Sequence, residues 1–388
     1  MAQALLPGAA DAQPAPAAIG QECLKLAAAT LDRSNQAAYD KTLSAWVETC
    51  QQAVAANPSD TRFKVALSKG LWHKDGRPAS LGPLREAAAQ NDTEALLEIF
   101  NDFNSFDRHL DRPDLIPRAE AEQAFRRAAE LGNAKAIFRL FKMLTYGGPI
   151  KHDLAQARIW AEKSLANPPK DMRPSDVAVI VGELLAQSDN ADERARGIAI
   201  LEPLAKSGRG DAQAYLAVAI RRDDPVRARQ LLESAVRSYP GSALAELSDM
   251  LIKGEGGPKD EKRALSLLQR SAYDAQHAKW ALGQLTLEGR LVRRDVAQAV
   301  KLLGPWSQWD YDTRLQIVRL LAENPSVQME YADHYLYRTI EDAELGEPGA
   351  MDALIALKLS RHGQFADKAG GCALAERAGK RLDECRAK

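Results

Sequence analysis

The chain has 388 residues, of which 45% are hydrophobic but only 6% aromatic. This composition favours packed helices with cores of alanine and leucine over sheets, which need β-branched and aromatic residues. The 52 lysines and arginines nearly balance the 53 aspartates and glutamates, which argues against nucleic acid or an anionic membrane surface as a partner, and no run approaches the roughly 18 apolar residues of a membrane span.

Residues 1–18 are predicted to form a flexible leader. They are rich in alanine, proline, glutamine and glycine and carry a single charged side chain, so they bury too little apolar surface to fold. The chain starts Met1-Ala-Gln-Ala, without the basic and apolar segments of an intact signal peptide, which is typical of a start near an Ala-x-Ala cleavage site. We therefore expect a removed signal peptide and a bacterial periplasmic location; the alternative is the disordered start of a cytoplasmic protein.

Four cysteines lie near the two ends of the chain, namely Cys23, Cys50, Cys372 and Cys385. The sequence leaves all three pairings open. Local pairing is the economical choice, because each bridge would hold a terminal helical hairpin that has a neighbour on one side only. Residues 19–59 are accordingly predicted to form an N-terminal capping hairpin, and residues 380–388 a C-terminal tail. No cysteine has a partner at the spacing of a zinc site, so no structural metal is expected.

A bridge between Cys372 and Cys385 makes a specific demand on the backbone. On one continuous helix, a separation of 13 residues would part the two Cα atoms by about 20 Å, whereas a disulfide needs them within about 7 Å. The bridge therefore requires the chain to reverse near Gly379, a residue suited to end a helix. Two bridges would indicate folding in an oxidising compartment; four buried thiols in a cytoplasmic protein are the alternative.

Residues 62–89 are predicted to form a helix pair, and an irregular segment then runs from Asn101 to Pro117. This segment contains oxygen and nitrogen groups that a hard cation could take as ligands, namely Asp102, Asp107, His109, Asp111 and Asp114. Because loops of this composition are usually solvated turns, we predict no metal, no cofactor and no catalytic residue. A hydrolase that uses the acidic loop 102–114 is the alternative from the class of enzymes.

A phrase of glycine, five residues, aspartate, three residues and alanine occurs three times along the chain. The copies are Gly147, Asp153 and Ala157, then Gly254, Asp260 and Ala264, and finally Gly289, Asp295 and Ala299. The last two copies stand 35 residues apart (289 − 254), and a fixed period of this size is typical of a solenoid of stacked helical units. The repeat therefore predicts recognition by a surface rather than catalysis.

Each unit is predicted to consist of two antiparallel helices, A and B, because the apolar residues on both sides of the loop follow a helical period. In the clearest copy, Gly289 lets the chain leave helix A with positive φ, and Asp295 caps the start of helix B. Ala299 lets the two helices approach closely, and Gly283 occupies a corresponding position in helix A. Every member of the phrase has a backbone or packing role.

Weaker units extend the same frame in both directions. A B helix is predicted over 121–133, and degenerate units lie around 178–208, 212–240, 314–345 and 350–379. The array over residues 60–379 is expected to contain eight or nine helix pairs.

Aromatic residues are scarce and cluster towards the end of the array, at Trp306, Trp309, Tyr311, Tyr331, Tyr335 and Tyr337. Two interpretations compete. The rings could fill gaps between helices where the repeat pattern weakens, or they could form a patch on the concave face that anchors a partner peptide or a sugar ring. We treat these six residues as the candidate partner-binding site.

The motif Ala-x-x-x-Leu-Gly followed by Gly-x5-Asp-x3-Ala, best preserved from Ala278 to Ala299, resembles the Sel1-like repeat, a relative of the tetratricopeptide repeat. This copy departs from the pattern at the second loop glycine, where Leu291 stands. The resemblance implies an all-α, right-handed superhelical solenoid of antiparallel helix pairs.

The resemblance also implies a non-enzymatic protein–protein interaction scaffold that assembles or regulates a bacterial cell-envelope complex through its concave surface. An exopolysaccharide secretion or biosynthesis scaffold with carbohydrate contact is the alternative within the binding class. The expected partners are thus proteins, with a polysaccharide as the alternative partner.

Overall fold

The structure is a computed structural model that describes residues 16–29, 31, 34–103, 115–147, 149–271, 276–307, 310–330 and 332–385, except for the side chains of residue 102 and residues 332–335. These described residues form twenty α-helices and one 3-10 helix and contain no strand. The predicted all-α solenoid of antiparallel helix pairs is therefore confirmed. Within these ranges every helix is too short or too polar to cross a membrane.

Two compact units divide the chain, Met1–Ile137 and Phe138–Lys388. The predicted domain limits at residues 59/60 and 379/380 stay predictions. Helix α1 begins inside the predicted leader, at a proline, which suits the first turn of a helix because no backbone N–H is needed there. The helices of the first unit are α1 (Pro16–Ala28), α2 (Gln36–Ala56), α3 (Thr61–Asp75), α4 (Arg77–Ala89), α5 (Thr93–Phe103) and α6 (Arg118–Glu130).

The second unit continues the alternation of A helices, with odd numbers, and B helices, with even numbers. Nine helix pairs follow the α1–α2 pair in the described chain, against the expected eight or nine. The helices are α7 (Ala134–Tyr146, which contains the division), α8 (Leu154–Ala166), α9 (Pro174–Ala186), α10 (Ala191–Lys206), α11 (Gly210–Ile220), α12 (Pro225–Ala235), α13 (Pro240–Lys253), α14 (Glu261–Ser271), α15 (Gln276–Glu288), α16 (Val296–Ser307), α17 (Tyr311–Glu323), α18 (Ala332–Glu344), α19 (Ala350–Leu359) and α20 (Lys368–Arg377).

The three copies of the repeated phrase begin with the same backbone conformation. Their glycines follow α7, α13 and α15 and lie in the left-handed region, which a residue with a side chain rarely adopts. The φ angles are 77° at Gly147, 75° at Gly254 and 71° at Gly289. Each glycine therefore ends its A helix, as the phrase predicts.

The aspartates and alanines of the phrase also have one role each in all three copies. Each aspartate side chain accepts the backbone N–H of the residue three positions on, at 2.8 to 2.9 Å, and so caps helix B. These caps are Asp153 at α8, Asp260 at α14 and Asp295 at α16. Each alanine is fully buried one turn inside its B helix, at Ala157, Ala264 and Ala299. The phrase therefore recurs because it encodes a helix end, a cap and a close helix contact.

Leu291 replaces the second loop glycine of the family pattern in the best copy. Its backbone nevertheless keeps the conformation that glycine has at this position. Its φ is 65°, close to the 66° of Gly256 at the corresponding loop position of the preceding unit. A leucine in the left-handed region is strained, so the stacked helices on either side hold this loop in its shape.

Both local disulfide pairings are present in the structure. Cys23 of α1 is joined to Cys50 of α2, with Cα atoms 4.8 Å apart, and Cys372 of α20 is joined to Cys385, with Cα atoms 5.4 Å apart. As the second bridge requires, α20 ends at Arg377, and Gly379 takes a φ of 70° where the chain reverses. The described residues include no free cysteine.

Within the second unit, the loop after α7 contacts the loop between α18 and α19, 195 residues further along. The backbone N–H of His152 donates a hydrogen bond to Oε1 of Glu347 at 2.8 Å. Ile150 in the first loop is fully buried, and the Tyr311 hydroxyl donates to the carbonyl of Pro348 in the second at 2.6 Å. The His152–Glu347 hydrogen bond therefore joins an early loop of the unit to a late one, while Tyr311 of α17 holds the late loop in place.

Candidate recognition site on the inner helices

The A helices of the second unit form its inner layer. Successive A helices pack against each other from α9 to α15, and α17 packs against α19. Successive B helices of the described unit do not make comparable contact. Because the A helices of successive hairpins pack together and the B helices do not, the A helices lie on the concave face of the stack, which is where solenoids present extended binding surfaces.

The repeat register identifies which A-helix residues face along this inner layer. Added Cβ atoms at Gly182 of α9 and at Gly283 of α15 would each come within 2.9 Å of a leucine Cγ on the paired B helix, so these two positions are equivalent and point outwards, towards the B helix. The next residue in each helix points about 100° further round the helix axis, away from the paired B helix. We name the resulting set the inner column: Lys142, Glu183, Val218, Asp249, Gln284 and Arg319.

A cluster of tyrosines surrounds the glutamate of the inner column. The Tyr146 hydroxyl of α7 donates a hydrogen bond to Oε2 of Glu183 in α9 at 3.4 Å. The hydroxyls of Tyr215 in α11 and Tyr239, just before α13, lie 3.1 Å apart, with their rings edge to face. Tyr146 is 41% exposed, and the other three residues are half-buried. This tyrosine–glutamate cluster therefore spans three consecutive A helices and remains accessible from the inner face.

The protonation of Glu183 is unusual for a carboxyl group. Burial raises its pKa to about 7, while hydrogen bonds from Tyr215 and Tyr146 and the charge of Lys142 act in the opposite direction without restoring the ordinary value. Burial and the negative charge of Glu183 in turn raise the pKa of Tyr215 and Tyr146. A carboxyl group perturbed in this way, in a concave surface, marks a candidate functional site.

Glu183→Gln is expected to stabilise the protein at pH 8 by about 2 kcal/mol and to leave its stability at pH 5 almost unchanged. Because the pKa of Glu183 in the folded protein is above its ordinary value of 4.5, the folded state binds the proton more tightly than the unfolded chain. The wild-type protein therefore loses stability as the pH rises from 4.5 to about 7, and the neutral amide removes this loss. Urea unfolding at both pH values measures the difference.

Glu288→Gln, at an exposed position of α15, is the matched control. It should change the free energy of unfolding equally little at both pH values. If Glu183→Gln behaves in the same way, the pKa of Glu183 is not raised in the folded protein.

A charged group continues the inner surface beyond the tyrosines. The Arg221 guanidinium contacts three carboxylates, those of Glu246 at 3.1 Å and of Asp249 and Glu255 at 2.5 Å. Burial raises the pKa of Glu246, which the charge of Arg221 partly offsets. Lys253 also pairs with Asp249 at 2.7 Å, so three acids meet two basic groups here, and the one carboxylate in excess favours a partner with basic or hydrogen-bond-donating side chains.

A groove of about 610 Å³ lies between α15 and α17, further along the inner layer. The Trp280 indole Nε1 donates to the Thr313 hydroxyl at 3.0 Å across the two helices. Gln284 of the inner column and Gln316 exchange amide hydrogen bonds at 2.9 and 3.2 Å. The groove therefore presents amide and indole groups that already hold each other in place.

The structure describes three of the six aromatic residues that were predicted to bind a partner. Trp306 packs on the ring of His277 with 4.3 Å between ring centroids, Tyr311 donates its hydroxyl to Pro348, and the Tyr337 hydroxyl donates to Glu341 at 2.8 Å. All three are half-buried. The others, Trp309, Tyr331 and the side chain of Tyr335, lie outside the described residues, so the patch stays a prediction.

The acidic loop also lies outside the described residues, which omit residues 104–114 and the side chain of Asp102. Among the residues that are described, no group of three or more histidines, cysteines or acids is placed to hold a metal ion.

Sequence reasoning missed the tyrosine–glutamate cluster and Trp280. The four members of the cluster are spread over nearly a hundred residues of sequence, between Tyr146 and Tyr239, and no motif links them. One signal was available in the sequence. The positions equivalent to Gly283 recur with the period of the array, and the residue that follows each of them belongs to the inner column. Reading that column would have selected Glu183 and Gln284.

The family model for the Sel1 repeat matches the chain at four places, residues 134–167, 210–238, 241–274 and 276–305. The four matches correspond to the pairs α7–α8, α11–α12, α13–α14 and α15–α16. The chain therefore contains Sel1 repeats, as its motif predicts. No curated protein matches it.

Several solved structures resemble the chain in fold. A Sel1 repeat protein from Oxalobacter formigenes is 19% identical, with 86% of this chain and 99% of that chain covered and a TM-score of 0.42. The protective antigen c5321 of uropathogenic Escherichia coli, which displays an SLR fold, is 16% identical, with 96% and 81% covered and a TM-score of 0.49. Yeast Tom70 is 14% identical, with 90% and 84% covered and a TM-score of 0.38.

Proposed function

We propose that this chain, a Sel1-repeat protein, is a non-enzymatic scaffold that binds a protein segment along the inner A helices of its second unit. The observation that carries the proposal is the tyrosine–glutamate cluster. It places partly accessible tyrosines and a half-buried carboxyl group on three adjacent A helices, where a bound segment would contact several repeats at once.

The chemistry of this face suggests what the segment offers. Tyrosines provide large contact areas with a polar end, which makes them good anchors at interfaces. Glu183 and the acids around Arg221 accept hydrogen bonds from serine, lysine or arginine side chains. A peptide segment that is extended or helical and carries such donors fits the surface.

A photo-crosslinking pair of variants tests the proposal. Val218 belongs to the inner column on α11 and is 36% exposed, whereas Val226 lies on the B helix α12 and is 54% exposed. We expect p-benzoylphenylalanine at position 218 to form adducts with a partner protein in cells of the source organism, and the same residue at position 226 to form none. Mass spectrometry of the adducts identifies the partner.

Val226 is the more exposed of the two valines, so adducts from position 218 alone would reflect its place on the inner face and not its accessibility. Adducts from position 226 alone, equal adducts from both positions, or no adduct from either would contradict recognition on the inner helices.

We further propose that the partner belongs to a bacterial cell-envelope complex. The predicted aromatic patch that includes Trp306 and Tyr311 would then be a second contact surface on the same unit. A role in exopolysaccharide secretion or biosynthesis is the second candidate, and the aromatic rings are the feature that favours it, because such rings also stack on sugars.

An oxidising compartment, the periplasm, is the location that we propose, and the two disulfides support it. Protein purified from its native compartment with alkylating agent present, then denatured without reductant, is expected to show no free thiol. Denatured and reduced protein should show four, which is the control for complete reaction. Four thiols before reduction would instead indicate the cytoplasm.

A further inference from the structure

The two disulfides of the chain lie in different surroundings. Cys23 and Cys50 are both 0% exposed, and they belong to the apolar core that α1, α2 and α3 share. Cys372 and Cys385 are each half-buried. In thiol–disulfide exchange an attacking thiolate must reach a sulfur atom, so the fold protects the first bridge more strongly than the second.

The Cys23–Cys50 bridge cannot be reached without disrupting a core. Helix α1 packs against both α2 and α3, and the apolar cluster around the bridge includes Trp46, Phe63 and Leu67, which are all buried. Access to either sulfur therefore requires these helices to separate and their apolar side chains to meet water. Such an opening is costly, because it removes many buried contacts at once.

The Cys372–Cys385 bridge lies at the end of the array, on a helix that buries little. Helix α20 has ten residues, of which Gly371 and Ala375 are buried, and it packs against α19. Leu374 adds a half-buried contact with the apolar cluster of α18 and α19. A helix of this length is marginal in water by itself. Local opening at this end therefore costs less than opening the core around the first bridge.

Residues 378–385 form the tail that the bridge ties back to α20. Apart from Leu382 and the cysteine itself, which are half-buried, the residues of the tail are exposed. The Lys380 N–H donates to the Ala375 carbonyl at 2.8 Å, and the Lys380 ammonium pairs with Asp352 of α19 at 2.5 Å. Water and salt screen this ion pair, because both of its side chains are exposed. The bridge is therefore the strongest constraint on the tail.

We propose that Cys372 and Cys385 form a site of thiol–disulfide exchange whose co-substrate is a protein dithiol of the thioredoxin kind. A thiolate of the dithiol attacks one sulfur of the bridge, forms a mixed disulfide and displaces the other sulfur as a thiolate. The second thiol of the reductant then attacks the mixed disulfide, and the reductant leaves as a disulfide. Two electrons and two protons pass to the chain, which gains two thiols and releases its tail from α20. This exchange takes place at the end of the array and does not require the recognition proposed for its inner helices.

Reduction of the oxidised full chain, sampled over time, tests this assignment. Each sample is alkylated and mapped by mass spectrometry, which follows the two bridges separately. With dithiothreitol or reduced thioredoxin in native buffer, the Cys372–Cys385 bridge should open at least about tenfold faster than the Cys23–Cys50 bridge. With dithiothreitol in urea concentrated enough to unfold the chain, the two rates should become similar, because the fold then protects neither bridge.

Amide hydrogen exchange measures the release of the tail. Exchange in residues 371–385 should become faster when the Cys372–Cys385 bridge is reduced, and the double variant Cys372→Ser with Cys385→Ser should show this fast exchange without reductant. Exchange in α2 is the control and should change in neither case.

Equal rates of reduction for the two bridges in native buffer, or faster opening of Cys23–Cys50, would overturn the assignment. Unchanged exchange in residues 371–385 after reduction would do the same. None of these results would alter the crosslinking expected at Val218, so the two proposals can fail separately.

Discussion

Asp342→Ala is expected to lower the free energy of unfolding by about 3–5 kcal/mol. Asp342 of α18 and Arg314 of α17 are 3% and 2% exposed, and the guanidinium contacts both carboxylate oxygens, at 2.6 and 3.1 Å. Arg314 also donates to the Ser307 carbonyl at 2.6 Å. Removing the carboxylate leaves a buried cation without a counter-charge, which costs far more than the pair itself contributes. Urea unfolding at neutral pH measures the loss.

The control for this substitution is Glu22→Ala, which removes one member of the exposed Lys25–Glu22 pair on α1. It should cost no more than about 0.5 kcal/mol, because water and salt screen exposed pairs. The double variant Arg314→Met with Asp342→Leu should recover most of the stability, since apolar residues of similar volume often replace a buried ion pair without loss. A cost for Asp342→Ala no greater than that of Glu22→Ala would contradict the burial of this pair.

Gly197→Ala is expected to destabilise the protein by about 3 kcal/mol, although alanine is the better helix former by about 1 kcal/mol. Gly197 lies inside α10, where that helix crosses α9. An added Cβ would collide with the backbone nitrogen of Ala186 and lie 2.7 Å from the carbonyl oxygen of Gly182. These are backbone atoms, which no side-chain rotation can move, so the two helices would have to separate. The shift of the urea midpoint reports the effect.

Gly82→Ala is the opposite case and serves as the control. Gly82 also lies inside a helix, α4, but an added Cβ there would meet no atom within 4 Å. This variant should change the free energy of unfolding by less than about 1 kcal/mol, because helix propensity favours alanine while Pro83, the next residue, disfavours a side chain on the helical residue before it. If Gly197→Ala costs no more than Gly82→Ala, helices α9 and α10 are not in backbone contact.

The architecture could be predicted because the features that encode it are local. Gly289 ends helix A, Asp295 caps helix B and Ala299 fits between the helices, and each role depends on residues a few positions away. The period of the phrase then implies stacking, since one hairpin cannot bury its own apolar face. The reversal of the chain at Gly379 followed in the same way, from the distance that a disulfide allows.

The candidate recognition site could not be predicted in the same way. Val218 and Val226 are both exposed valines, and their immediate neighbours in sequence do not tell which lies on the inner face; only the register compared across several repeats separates them. From the sequence, Gly197 is only a residue of low helix propensity. The crossing with α9 shows why a glycine is needed there. For the aromatic residues, clustering in sequence drew attention to Trp306 and its neighbours, while the tyrosines around Glu183 are too far apart in the chain to be recognised as a group.

The sequence by itself thus determined the fold class, the position of the helix ends and the chain reversal that the Cys372–Cys385 bridge requires. Capping, glycine conformation and helical periodicity all act over short distances along the chain. The tertiary structure alone decided which side chains meet across repeats. Arg314 pairs with Asp342, the His152 backbone N–H donates to Glu347, and the Tyr146 hydroxyl donates to Glu183. Such contacts depend on how far successive hairpins rotate against each other, a quantity that side-chain packing sets and that no short motif records.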